Sequence, residues 1–250
     1  MFIKFICCDV FARIACDLVA KSPHIVDLEF VPMLVHMEPE KLKRMIQEKI
    51  DNTMSEGVMG RKYDALILGF GLCGNAVIGL SCPIPMIIPR AHDCCTVFMG
   101  SKEKFIDAFG SILSARWCCT GYFERGMLLS IGFSDLEQLS NYKTSAEYMG
   151  YVEQYDEETA DYLWEMLHPI RESDESVYIK IDGYEYSNSL ELYKADMDEA
   201  GVKLKIVDGD ISMLEALING EWDDDRFLTV PPGKKIEGVY DMKQVVKAGD

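Results

Sequence analysis

The sequence predicts an α/β protein: a Rossmann-like parallel sheet with helices on both faces, plus a second, smaller α/β lobe. Three observations predict it. Strand-like and helix-like runs alternate from the first residues onward. Several strand-like runs, such as Ala65-Leu66-Ile67-Leu68 and Met86-Ile87-Ile88, are apolar without interruption. A strand with one wet face alternates apolar and polar residues. A strand covered on both faces reads as a continuous apolar run, and such strands mark parallel sheets. Third, the run at 63–69 opens into a glycine-rich turn, Gly69-Phe70-Gly71-Leu72-Cys73-Gly74. Residues 1–134 read as an α/β lobe with a Cys/His crevice, and residues 135–250 as a helical linker and the second α/β lobe.

Residues 2–7 read as a strand leading to a helix near 10–21. A strand near 28–35 leads to a helix from 39 to 55. Pro39 suits the first turn of that helix, where a missing N–H costs nothing, and Leu42, Met45, Ile46 and Ile50 recur at helical spacing. A strand at 85–89 precedes helical segments near 92–99 and 101–114. From Trp117 to about Ser134 the chain reads as extended, with Gly121, Gly126 and Gly132 as breakers. Residues 135–168 read as two helices rich in tyrosine and acid, the second running from Asp156 to His168 and stopped by Pro169. Their aromatic residues, Tyr142, Tyr148, Tyr151, Tyr155, Tyr162 and Trp164, either line a crevice or pack the helices. The run Glu172–Glu175 reads as a surface hinge. A strand at 176–182, a helix at 188–200 closed by Gly201, a strand at 202–207 and a short helix at 211–219 closed by Gly220 follow. The tail Phe227–Gly233 reads as an ordered end piece.

Hydrophobic residues make up 48% of the chain, enough for a sizeable core. The formal net charge is −17, so the surface repels nucleic acid and anionic membrane and would suit a partner with a basic patch. No stretch has the length and apolar purity of a membrane-spanning helix. Met1–Cys8 reads as a first strand rather than a leader, because Asp9 and Arg13 follow at once. A cytoplasmic location is expected. The nine cysteines are an odd number and read as thiols. Three adjacent pairs, Cys7-Cys8, Cys94-Cys95 and Cys118-Cys119, should send one side chain into the core and the other to a site, since strand neighbours point to opposite faces.

Three cysteines fall just after three strand-like runs: Cys8, Cys73 and Cys94. Parallel strands of an open sheet end on one side, and ligands bind in the crevice there. Cys8, Cys73, Cys94 and His92 are therefore candidate metal ligands. Three thiolates and an imidazole complete a tetrahedral zinc site, with sulfur at about 2.3 Å and nitrogen at about 2.0–2.1 Å. Three thiolates also hold an iron–sulfur cluster with one iron open. Soft sulfur ligands favour either, and zinc is preferred here. No Cys-x-x-Cys pair is present, so the signal lies in the constellation. A metal-free reactive thiol and a cysteine that only fills space are the competing readings. His92, Asp93 and Arg90 are the candidate catalytic groups. Arg90 could grip a carboxylate or phosphate, and its plainer alternative is a salt bridge. His92 and Cys94 could pair as base and nucleophile. Gly71, Gly74, Asn75 and His36 are candidate cofactor-binding residues, although His36 could equally be a hydrogen-bonded residue at a helix start. Glu124 could also reach the crevice.

The turn at 69–74 satisfies the Gly-x-Gly-x-x-Gly spacing of dinucleotide sites. It follows the third strand rather than the first, and Arg90 stands where an acidic ribose partner belongs, so nicotinamide is not the expected cofactor. Free amides at a helix start would also stabilise negative charge, so Cys73 is expected to be mostly thiolate at neutral pH, either as a metal ligand or as the most reactive free thiol.

Gly71-Leu72-Cys73-Gly74-Asn75, then Ile88-Pro89-Arg90-Ala91-His92-Asp93-Cys94 and Gly100-Ser101, resemble the domain-of-unknown-function family 1638. Cys8-Asp9-Val10, Leu34-Val35-His36 with Pro39, Gly209-Asp210 and the Phe227–Gly233 tail are similar to it as well. Asp9 stands where the family pattern leads one to expect glutamate. The resemblance implies the setting of methanogens and other anaerobes, often near corrinoid methyltransferase genes, and hence methyl-group or one-carbon metabolism. It supplies no reaction. Three functions stay open on these grounds. One is a metal-thiolate enzyme acting on a small-molecule substrate. Another is a non-enzymatic metal or corrinoid-associated accessory protein docking on a methyltransferase. The last is an iron–sulfur or nicotinamide-dependent oxidoreductase.

Overall fold

Every residue of Phe2–Cys8 is buried, and this run is strand β1, an inner strand of a five-stranded sheet in the computed structural model. The structure describes residues 1–56, 60–110, 116–127, 146–157, 159–161, 175–239 and 244–249. A strand buried along its whole length has both faces covered, as the apolar runs predicted. Its one charged residue, Lys4, is 6% exposed and sits opposite Asp27 in the register with β2 (Ile25–Val31). The ammonium bonds Asp27 at 3.0 Å and Glu29 at 2.9 Å, which offsets the desolvation of a buried charge.

Between them lies helix α1 (Ala12–Lys21), reached through a short 3-10 turn at Asp9–Phe11. β2 ends earlier than the sequence pattern predicts. Pro32 removes a ladder donor, and a 3-10 turn, Met33–Met37, takes over, anchored by the Met33 amide on Asp9 Oδ1 at 2.8 Å. Helix α2 (Pro39–Glu56) buries Leu42, Ile46 and Ile50, one apolar stripe at helical spacing. Strands β3 (Ala65–Gly69) and β4 (Met86–Pro89) follow, both wholly buried. Helices α3 (Cys94–Phe98) and α4 (Lys102–Phe109) are each capped by the side chain before them, Asp93 and Ser101.

The chain then starts a second sheet. β5 (Arg116–Cys119) runs into helix α5 (Thr120–Met127). This corrects the extended reading of 117–134: Gly121 is helical and marks a close backbone approach rather than a break, and residues 128–134 lie outside the described ones. Helix α6 (Ala146–Gln154) falls in the region read as two helices; Tyr142, Tyr162, Trp164 and His168 lie outside the described residues. β6 (Glu175–Lys180), helix α7 (Ser189–Ala200), β7 (Lys203–Asp208) and helix α8 (Ser212–Asn219) come next. Gly201 and Gly220 close the two helices with φ of 69° and 79°, where a side chain would be strained. The end of the chain gives β8 (Phe227–Val230) and the antiparallel pair β9 (Lys235–Gly238) and β10 (Val246–Gly249).

The first sheet has the order β2-β1-β3-β4-β8, parallel except for β8, and the second the order β5-β6-β7, parallel throughout. Strand membership does not divide at residue 134. β5 precedes that point yet belongs to the second sheet, and β8 follows it yet completes the first. One apolar cluster runs through both, taking in Phe5, Leu68 and Ile88 from the first sheet and Cys119, Val177 and Ile179 from the second. The second sheet also has its own small core of Cys118, Phe123, Tyr178, Tyr193 and Met197. Its buried hydroxyls satisfy one another: Thr120, Tyr178 and Ser189 bond mutually at 2.6–3.2 Å. Among the described residues, no helix is long and apolar enough to cross a membrane.

Candidate thiol and imidazole site

Strand order reverses at the β1/β3 boundary, where β2 lies to one side and β4 to the other. Crevices open at the carboxyl ends of parallel strands at such a boundary. Cys8 is the last residue of β1, His36 lies in the 3-10 turn after β2, the Gly71–Asn75 turn follows β3, and Arg90–Cys94 follow β4. The predicted residues thus share one edge of the sheet.

The turn is pressed between its neighbours. A Cβ on Gly71 would fall 2.6 Å from the Asp93 amide nitrogen and 2.9 Å from the Ala91 carbonyl. A Cβ on Gly74 would fall 3.2 Å from Pro39 Cγ. The Leu72 and Cys73 amides donate to the Ala91 and His92 carbonyls at 2.9 and 3.1 Å. Cys73, Gly74 and Asn75 all have positive φ, at 46°, 65° and 70°. A left-handed cysteine costs about 1–2 kcal/mol, a strain that proteins keep mainly at functional positions.

These facts correct one expectation. The Cys73 amide is engaged and no helix begins at the turn, so the free amides and helix dipole expected to stabilise a thiolate are not there. Burial pushes the Cys73 thiol up to about 12, against a smaller lowering from the Gly71 backbone. Burial also raises the thiols of Cys8 and Cys94, in Cys8 against a smaller lowering from the Val10 backbone, and the neighbouring Cys73 adds to both. All three are neutral at pH 7. Cys8 is 1% exposed and Cys94 6%, while Cys73 keeps a partly open side.

Two imidazoles stand beside the turn. His36 lies 6.0 Å from the ring of Phe70, the residue before Gly71, and burial alone lowers its pKa to about 4. His92 lends its carbonyl to Cys73. The Nε2 atoms of both are buried and have no hydrogen-bond partner among the described residues. Buried polar atoms are nearly always paired, so two orphans at one site call for an explanation. In kind, neutral thiols and free imidazole nitrogens match a soft transition metal. As they stand, however, no three His, Cys, Asp or Glu side chains among the described residues are grouped to hold a metal ion.

The remaining candidates are occupied. Arg90 Nε bonds the carbonyls of Asp224 and Phe227 at 2.8 and 3.2 Å, and its Nη1 bonds those of Gln244 and Val246 at 2.8 and 2.5 Å. It clamps the C-terminal strands rather than offering a fork to a ligand. Arg90→Lys keeps the charge and loses the fork. We expect it to cost about 2 kcal/mol in chemical denaturation and to leave ligand binding at the turn unchanged; an unchanged midpoint would refute the clamp. Asp93 accepts from the Thr96 amide and hydroxyl at 3.0 and 3.1 Å as the cap of α3. Asp9 holds the Met33 amide, and Glu124 is engaged by Arg13 through both carboxylate oxygens.

Sequence reasoning missed two residues. Cys119 ends β5 and joins the apolar cluster that holds Cys8 and Cys94, with Tyr122 packed against it. The Tyr122 hydroxyl is raised by burial and then by the thiols of Cys94, Cys8, Cys119 and Cys73. The signal was the pair Cys118-Cys119: Cys118 faces the second sheet's own core and Cys119 faces the shared one, as strand alternation requires. A groove of about 680 Å³ lies elsewhere, between α1 and residues 183–186, lined by Arg13, Cys16, Asp17 and Tyr184.

Comparison with known proteins adds one match. No curated protein and no solved structure matches the chain. A family model described as "Protein of unknown function (DUF1638)" matches residues 30–218, a span that holds His36, the glycine turn, His92, Cys94 and Cys119. The match covers more than half of the sequence, and the chain belongs to the DUF1638 family.

Proposed function

We propose that the chain is a metal-thiolate protein that binds a soft transition metal, zinc in preference to an iron–sulfur cluster, through Cys8, Cys73, Cys94 and His92. The observation that carries this reading is the combination beside one turn of a strained, left-handed cysteine and two buried imidazole nitrogens with no partner among the described residues. Packing alone explains neither, since glycine would fit the backbone and an apolar ring would fit the pocket at lower cost. Gly71, Gly74, Asn75 and His36 would surround the bound group, and Asp93 would hold the start of α3.

Two uses of the metal differ in one respect. An enzyme of small-molecule metabolism needs an open metal position, where zinc acts as a Lewis acid on a substrate oxygen. The family resemblance makes methyl-group and one-carbon compounds the first substrates to try. An accessory protein, docking on a corrinoid protein or methyltransferase, needs none. The near-complete burial of Cys8 and Cys94 favours the accessory use.

The test is zinc uptake by anaerobically reduced protein, followed by elemental analysis. One zinc per chain is expected. Cys73→Ser should weaken binding by at least about tenfold, because a hydroxyl is a poor soft-metal ligand. Cys16→Ser, at an exposed thiol on α1, should change nothing. Affinity should also rise steeply with pH, since each buried neutral thiol must give up a proton. No uptake, or equal loss in the two variants, would overturn the reading.

A further inference from the structure

The groove of about 680 Å³ beside α1 has the volume of a small-molecule site. One wall is α1, which follows β1, and the other is residues 183–186, which follow β6. Both walls stand past the carboxyl ends of parallel strands, where α/β proteins bind ligands. The Glu124 carboxylate accepts from Arg13 Nε and Nη2 at 2.7–3.0 Å, and the Ser187 hydroxyl donates to it at 2.7 Å. The guanidinium lies over the Tyr186 ring, 4.4 Å from its centre. Asp17 Oδ2 accepts from Lys21 at 2.7 Å and from the Tyr184 hydroxyl at 2.5 Å. Those two bonds hold the Asp17 carboxyl below its ordinary value, so it is charged at neutral pH.

Each of these two charged groups is fixed on one side and open on the other. Among the described residues, neither Arg13 Nη1 nor Asp17 Oδ1 has a hydrogen-bond partner. Residues four apart on a helix stand about 5–6 Å from each other at Cβ, so an open cationic donor and an open anionic acceptor lie one turn apart. The pairs Arg13–Glu124 and Lys21–Asp17 cancel in charge, and the groove therefore favours neither a net anion nor a net cation. The facing loop is bent to present its two rings: Gly183, Ser187 and Asn188 have φ of 80°, 67° and 49°, and left-handed backbone at Ser and Asn is kept mainly at functional positions.

We propose that this groove binds a zwitterion of the amino-acid class. The ligand's carboxylate accepts from Arg13 Nη1, its ammonium donates to Asp17 Oδ1, and its body lies against the rings of Tyr184 and Tyr186. The ligand then touches α1 from the first sheet's layers and the loop after β6 of the second, and it ties the two together. A free amino acid and a short peptide share this chemistry. The thiol site takes no part in this binding, so failure here leaves the metal-thiolate reading standing.

The test is calorimetric titration of the full chain at pH 7 with L-phenylalanine. Binding at about 1 mM or tighter is expected. Phenethylamine lacks the carboxylate and 3-phenylpropanoate lacks the ammonium. Each should bind at least about tenfold more weakly, because each leaves one charged hydrogen bond unmade. Glycyl-phenylalanine distinguishes the two sources: tighter binding than phenylalanine assigns the groove to peptides, weaker binding to free amino acids. Cys16 lines the groove and is exposed, so saturating phenylalanine should slow its alkylation by iodoacetamide. Asp17→Asn should remove the preference for phenylalanine over 3-phenylpropanoate, and Arg13→Gln the preference over phenethylamine, with folding checked by thermal melts. No binding by the wild type, equal binding of the three compounds, or binding that leaves Cys16 alkylation unchanged would overturn the proposal. So would folded variants that keep both preferences.

Discussion

Gly121→Ala is expected to destabilise the protein by about 3 kcal/mol or more, at the upper end of what overpacking costs. The added methyl would sit 2.0 Å from the Val10 carbonyl oxygen, a backbone atom that no rotamer change can move. The strain can relax only if α5 lifts away from the 3-10 turn after β1, which carries Cys119 and Tyr122 away from Cys8. Among the described residues, nothing lies within 4 Å of the notional Cβ of Gly126, in the same helix. Gly126→Ala should therefore stabilise the chain by about 0.5–1 kcal/mol, through helix propensity and a less flexible unfolded state. Chemical denaturation of the pair separates contact from propensity, because both variants make the same chemical change in one helix. A loss below about 1 kcal/mol at Gly121 would mean that the two sheets slide easily over each other.

Lowering the pH from 6.5 to 4 is expected to remove about 3 kcal/mol of stability through His36 alone, since each tenfold difference in proton affinity between the folded and unfolded chain is worth about 1.4 kcal/mol. Its imidazole is held down to about 4 by burial, while in the unfolded chain it takes up a proton near pH 6.5. Between those values the unfolded state binds the extra proton and the folded state does not. The contribution is thus present above pH 6.5 and lost as pH falls through the folded pKa. The carboxylates act lower. Burial alone would raise Asp27 and Glu29, but Tyr63, Lys4 and Lys49 outweigh it and hold them below their ordinary values. Their contribution is lost only as pH falls below the ordinary carboxylate range. His36→Phe, measured beside the wild type with a chelator present, should abolish the upper part of the slope and keep the lower part. Parallel curves for the two proteins between pH 6.5 and 4 would show that His36 is not held neutral.

Much of the first sheet is legible in the sequence because its strands obey one rule. Ala65–Gly69 and Met86–Pro89 are apolar at every position before the closing residue, and burial on both faces is the reason. The helix ends are legible too, since Gly201 and Gly220 sit where left-handed backbone ends a helix. The edge position of Cys8, the turn of Cys73 and the start of α3 at Cys94 follow from strand ends alone. Features set by long-range contact are not legible. Gly121 looks like a breaker in sequence because nothing local shows that the Val10 carbonyl lies against it. Arg90 looks like a ligand-binding fork because its four acceptor carbonyls come from residues 224–246. The Cys73 thiol misleads for the same reason: the carbonyls that occupy the amides of its turn arrive from another strand end. Cys119 is hidden by connectivity, since it joins the shared apolar cluster from a different sheet.

That connectivity also governs how the protein is made. The chain leaves the first sheet at β4, builds all of β5-β6-β7, and only then returns β8 to pair with β4. On a ribosome adding about 5–20 residues per second, the interval between residues 89 and 230 lasts on the order of ten seconds. Throughout it, the open side of β4 presents unpaired amides and carbonyls, flanked by apolar side chains destined for the core. Such an edge is a template for pairing with any other chain. The nascent protein therefore carries its most adhesive surface in the middle of synthesis rather than at the end, and its first sheet cannot be completed until β8 has been made.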